Sequence, residues 1–160
     1  MPEYADPDKN YTLTYPDGWL PLTHEGSPHV SLASLTTGGY LNIEACQFNN
    51  ENPDLLRPDR TLSSMIASEN RHGHSMTDLS IKRCNRQGAS LAYVTHTRFE
   101  TEKDESSTDF GHTRAWVFSR GQVQVRCLYR CRSEDAGTDD DELDAIAAAV
   151  IGGTSLSGGE

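Results

Sequence analysis

No run of about 18 apolar residues occurs anywhere in the 160-residue chain, so nothing in it predicts a membrane-spanning helix. The first ten residues are polar, hold Pro2 and Pro7, and lack a basic stretch followed by an apolar one. That pattern predicts no export signal and a cytoplasmic protein, unless a leader has been removed ahead of Met1. Cysteine is scarce: Cys46, Cys84, Cys127 and Cys131 show no Cys-x-x-Cys spacing, which predicts reduced, buried thiols. On one strand, Cys127 and Cys131 would stand about 13 Å apart, beyond the roughly 7 Å reach of a disulfide, so they are not expected to bond to each other. Neither Gly-x-Ser-x-Gly nor Gly-x-x-x-x-Gly-Lys occurs, which removes the sequence signals for a serine hydrolase elbow and a phosphate loop.

Basic residues are also in short supply, with 14 Lys and Arg against 24 Asp and Glu, for a net charge of −10. The imbalance is local. Residues 134–144 contribute −7 through Glu134, Asp135, Asp139, Asp140, Asp141, Glu142 and Asp144, with no base among them. Residues 100–109 contribute −4, with Glu100, Glu102, Asp104, Glu105 and Asp109 against Lys103, so the rest of the chain sums to only +1. Two acidic segments of this kind argue against nucleic acid or anionic membrane as their ligand and suit a basic protein partner.

What is present reads as one domain of 160 residues, enough to bury roughly 68–70% of the unfolded surface without help from metal or disulfide. Tyr11, Leu13 and Tyr15 alternate with Thr12 and Thr14, then Pro16-Asp17-Gly18 turns the chain toward Trp19, a candidate core plug. Strands are expected over 30–35 and 40–48, joined at Gly38-Gly39, followed by an exposed loop over 49–59. A first helix is expected from Asp59 or Thr61 to about Asn70 or His72, with Leu62, Met65 and Ile66 as its stripe. A meander follows. In it, a Gln87-Gly88 turn would set Ile81 opposite Val94, and an Arg120-Gly121 turn would pair Phe118 with Val123 and Trp116 with Val125. The closing helix over 141–151 places Leu143, Ile146, Ala147 and Val150 on one face, acids in its first turn, and Gly152-Gly153 at its end.

This element order, with a strand running into Tyr15-Pro-Asp-Gly-Trp19, resembles the PsbP/Mog1-like α/β/α sandwich family, in its bacterial small-protein branch. The resemblance implies an α+β fold: one antiparallel six- or seven-stranded sheet with helices packed on it. A single domain would run over 11–153, with loose segments at 1–10 and 154–160. It also implies a protein that binds partners, since bacterial relatives of the fold include lipoproteins and adaptor chaperones that load secreted effectors.

Chemistry-bearing residues give little support to catalysis. His72-Gly-His74 has a spacing that can hold a metal if a third ligand converges, but it reads as a solvated helix end. His96 and His112 fall on neighbouring strands without meeting, His112 being expected opposite Tyr129. Cys127 and Cys131 share the face of Val123 and Val125 and read as core, while Gln122, Gln124, Arg126, Arg130 and Arg132 form an opposite polar face that is either solvated or a groove floor. No metal, cofactor or catalytic residue is therefore assigned. The expected function is an adaptor, chaperone or immunity-type partner that captures a basic protein with Glu100, Glu102, Asp104, Glu105, Asp109, Glu134, Asp135, Asp139 and Asp140. A small-ligand or lipid carrier with a cavity between sheet and helices, and an enzyme with an unrecognised site, are the alternatives. Homodimerisation is left open.

Overall fold

The computed structural model describes residues 3–5, 11–22, 29–47, 57–71, 74–76, 82–86, 89–100, 112–135 and 137–152. Strand β1 (Glu3–Ala5) pairs antiparallel with β2 (Thr12–Thr14), so part of the expected loose amino-terminal segment is a strand in a two-stranded ribbon. Tyr11, Leu13 and Tyr15 point inward from this ribbon while Thr12 and Thr14 are exposed, as period-2 alternation requires. The Pro16-Asp17-Gly18 turn closes with Trp19 N–H donating to Pro16 O at 3.3 Å and opens β3 (Trp19–Pro21).

The main sheet continues through β4 (His29–Ser34), β5 (Tyr40–Gln47), β6 (His74–Met76), β7 (Lys82–Arg86), β8 (Ala89–Glu100), β9 (His112–Arg120) and β10 (Val123–Cys131). Its order is β3-β4-β5-β10-β9-β8-β6, with β7 also on β8 and every pairing antiparallel. Among the described residues it has eight strands, against six or seven expected; the short β3 and β6 carry too little alternation to be read from sequence. The β4–β5 turn spans Leu35 to Gly38, with Ser34 N–H donating to Gly39 O at 2.8 Å. Only Gly38 uses the left-handed region, at φ 76°. Gly39 is required for space, because a Cβ there would lie 2.7 Å from the Tyr129 hydroxyl and 2.9 Å from Arg130 O.

Lys82 faces Tyr93, the register that a Gln87-Gly88 turn dictates. The β9–β10 hairpin corrects the expected register: its two-residue turn is Gly121-Gln122, with Gly121 at φ 57°. Phe118 consequently faces Val125 and Trp116 faces Cys127. A slip of two residues preserves side-chain parity, so the core face is unchanged.

Helix α1 (Pro58–Arg71) starts earlier than expected because proline suits the first helical position, where no donor is needed. It lays Leu62 and Met65 over Ala115, Val117 and Leu128 on one face of the sheet. Helix α2 (Asp140–Gly152) lies on the other face, where Leu143, Ile146 and Val150 are 0–1% exposed and pack with the β1–β2 ribbon, Trp19, Leu32, Ile43, Phe118 and Tyr129. Burying each aliphatic side chain of this kind stabilises the fold by roughly 1.5–3 kcal/mol. The result is an α/β/α sandwich whose larger core lies beneath α2.

Candidate functional site

The acidic run at the start of α2 is where the sequence concentrates charge, and the fold divides it into internal and external carboxylates. Asp139 is 1% exposed. Its carboxylate accepts hydrogen bonds from Ser34 Oγ at 3.1 Å, Thr37 Oγ1 at 2.8 Å and the Tyr129 hydroxyl at 2.6 Å. Its main-chain carbonyl accepts from Leu143 N–H at 2.9 Å, the first bond of the helix. Asp139 is therefore a fastener between α2, the β4–β5 turn and β10, and a buried carboxylate cannot meet a partner protein as the sequence reading expected. Burial pushes the Tyr129 hydroxyl well above the usual phenol range, and its bond to Asp139 adds to the shift.

Three neighbours are partly engaged. Asp140 and Asp144 hold the Arg114 guanidinium at 3.1 and 3.2 Å, and that guanidinium lies 5.8 Å from the centre of the Trp116 ring. Glu142 accepts from the Trp19 indole N–H at 2.6 Å, tying the Pro-Asp-Gly-Trp turn to the helix. Glu134 lies 3.5 Å from Arg132, and both are exposed. Asp135 is half-buried in a 3-10 turn over Ser133–Asp135, whereas Asp141 is exposed. Glutamate and aspartate that face solvent here are thus Glu134, Asp141 and Asp144, with Asp140 about half covered. In the second acidic segment, Glu100 ends β8 opposite His74, while Glu102, Asp104, Glu105 and Asp109 lie outside the described residues.

Of the remaining candidates, His112, Cys127 and Cys131 are buried. His112 faces Cys131 across the β9–β10 ladder and not Tyr129, as the shifted register requires. It is 6% exposed, and among the described residues neither ring nitrogen has a hydrogen-bond partner. Burial lowers its pKa, opposed by Asp140 and reinforced by Arg114. His96 faces Thr113, His74 opens β6, and His72 lies outside the described residues. Cys46, Cys127 and Cys131 are free thiols whose pKa values are all raised, chiefly by burial. A thiol held protonated is the reverse of an activated nucleophile. Among the described residues no three His, Cys, Asp or Glu groups converge on a position that could hold a metal ion.

The polar face opposite the main core is a seam beneath α1. Gln124 is fully buried there, accepting at Oε1 from Thr61 Oγ1 at 3.1 Å and from Arg126 Nε at 3.3 Å, and donating to Ser119 Oγ at 3.3 Å. Sequence reasoning named Gln124 as part of a solvated face or groove floor and Asp139 as a partner contact, and missed that both are buried and bonded internally. The partners of Asp139 lie 10 to 105 residues away along the chain, and no local pattern announces them.

No protein-family model and no curated protein matches the chain. Among solved structures, it is similar to the solution structure of cyanobacterial PsbP (CyanoP) from Synechocystis sp. PCC 6803, at 15% identity and a TM-score of 0.64, over 92% of this chain and 89% of that one. A crystal structure from Bacteroides thetaiotaomicron gives a TM-score of 0.47 at 12% identity, over 97% of this chain and 48% of that one. Among the described residues no helix is long and apolar enough to cross a membrane. With its sheet layered between α1 and α2 and most of both chains superposed on a PsbP, this protein has the PsbP-like α+β fold.

Proposed function

We propose that this chain is a non-catalytic protein-binding module, an adaptor, chaperone or immunity-type partner that presents acidic surface to a basic protein. The observation that carries the reading is the exposed carboxylate left around the start of α2, at Glu134, Asp141 and Asp144, on a helix anchored by Asp139 and Arg114. Charge of one sign on a rigid support steers a basic partner during approach and raises its association rate. Glu100, Glu102, Asp104, Glu105 and Asp109 join this set as the second acidic segment. Raised thiol pKa values support a binding role over nucleophilic chemistry, and free thiols suit the reducing cytoplasm.

Affinity capture on the immobilised chain, washed from about 0.05 M to about 0.5 M salt, tests the reading, because the screening length shortens from about 14 Å to about 4 Å over that range. A basic protein retained at low salt and released as salt rises is the expected result. Retention that is indifferent to salt, or that selects acidic proteins, would sink it.

A further inference from the structure

The largest exposed apolar side chains of the described surface are Leu20, Leu22 and Leu35, at 49%, 57% and 70% exposure. Leu20 faces Ala33 in the β3–β4 ladder, Leu22 N–H donates to Ser31 O at 2.7 Å, and Leu35 N–H donates to Gly18 O at 2.9 Å. Residues 18, 20 and 22 thereby face 35, 33 and 31. Register parity puts the three leucines on one face of the sheet, in a row along its β3 edge. Leu20 and Leu22 stand about 7 Å apart along the strand, and Leu35 is the diagonal neighbour of Leu20 at about 7–8 Å. A row of about 14 Å equals the rise of about nine helical residues, so it suits apolar side chains spaced along the stripe of one helix.

The edge itself decides against an added strand. Since residues 18, 20 and 22 bond inward to β4, the outward-facing positions of β3 are Trp19 and Pro21. Trp19 N–H is already donated to Pro16 O, and Pro21 has no N–H. Among the described residues the β3 edge therefore offers carbonyl acceptors and no donor, which defeats the alternating exchange that strand addition needs. An acceptor-only rim, with exposed Asp17 in the adjoining turn, complements cationic donors.

Leu35 is also held in place before anything binds. Ser34 Oγ accepts from the Thr36 and Thr37 N–H groups at 3.3 Å each, Gly39 N–H donates to Thr37 Oγ1 at 3.0 Å, and both hydroxyls are tied to Asp139. A preformed anchor loses little conformational freedom on association.

We propose that Leu20, Leu22 and Leu35 form the apolar anchor of the partner interface, and that its occupant is an amphipathic helix carrying Lys or Arg beside its apolar stripe. This rests on the protein-binding reading and adds where the partner sits and in what conformation. The experiment uses the full chain, labelled with nitrogen-15, and two synthetic peptides of equal length and positive charge: a helical Leu/Lys peptide and an extended Val/Thr/Lys peptide. Expected are amide shifts over residues 18–22 and 31–36 with the helical peptide, none at β3 with the extended one, and about tenfold weaker helical-peptide binding in a Leu20→Ser, Leu35→Ser variant. Both side chains are exposed, so the variant keeps the parent's melting temperature; should it not, Leu22→Ser alone, with a correspondingly smaller loss of binding, carries the test. Shifts elsewhere, binding unchanged by the substitutions, an extended peptide that engages β3 equally well, or no binding by either peptide each overturn the proposal. Salt-sensitive capture of a basic protein alongside any of those results would leave the broader binding reading standing and this surface excluded.

Discussion

Burying a carboxylate is costly unless donors converge on it, and Ser34, Thr37 and Tyr129 converge on Asp139. Asp139→Ala would strand those hydroxyls and release the β4–β5 turn from α2, with an expected loss of about 2–4 kcal/mol in urea unfolding. A loss below about 0.5 kcal/mol, within the range of ordinary surface substitutions, would show that the network does not hold the two together. His112 gives the chain a pH dependence whose sign follows from its burial. Its folded pKa lies below the ordinary value of 6.5, so as pH falls through about 6.5 the unfolded chain takes up a proton that the folded chain refuses. The stability contributed by the neutral imidazole is therefore complete above that value and declines as pH falls toward the folded pKa. His112→Phe should flatten the fall in unfolding free energy between about pH 7 and pH 5. An unchanged slope would place the titration elsewhere.

At the scale of elements, α2 is the helix most plainly written in the chain. Leu143, Ile146 and Val150 recur at helical spacing after a cluster of acids, and all three are buried. Ile146→Ala should cost roughly 2–5 kcal/mol as a core deletion, measured by chemical denaturation; a change under about 0.5 kcal/mol would mean that α2 is not docked on the sheet. The β9–β10 hairpin marks where pattern reading stops. Alternation in Trp116, Phe118, Val123 and Val125 establishes the core face, yet two registers of equal parity satisfy it, and the turn at Gly121 chooses between them. Pro58 illustrates the same limit: side-chain chemistry points to a cap at Asp59 or Thr61, while the proline itself opens the helix.

At the scale of the whole molecule, charge separates into a part that folds the protein and a part that faces outward. Asp139, Asp140, Glu142 and Asp144 touch internal partners, so a test of electrostatic capture should leave them intact. Neutralising Glu102, Asp104, Glu105, Asp109, Glu134 and Asp135 as the corresponding amides should slow association with a captured basic partner and weaken its salt dependence, with the melting temperature retained. Equal association rates for parent and variant at low salt would remove these six carboxylates from the capture surface.

The chain alone determined the antiparallel α+β class, the inward faces of its long strands and the stripe of α2, because period-2 and period-3.6 patterns are local consequences of backbone geometry. Only the tertiary structure decided that Asp139 is internal, that His112 meets Cys131, that Gln124 lies under α1, and that β3 is an edge strand of the sheet. Each of those depends on which distant residues the sheet order brings together, and that order comes from packing both faces of one sheet at once, which no single segment encodes.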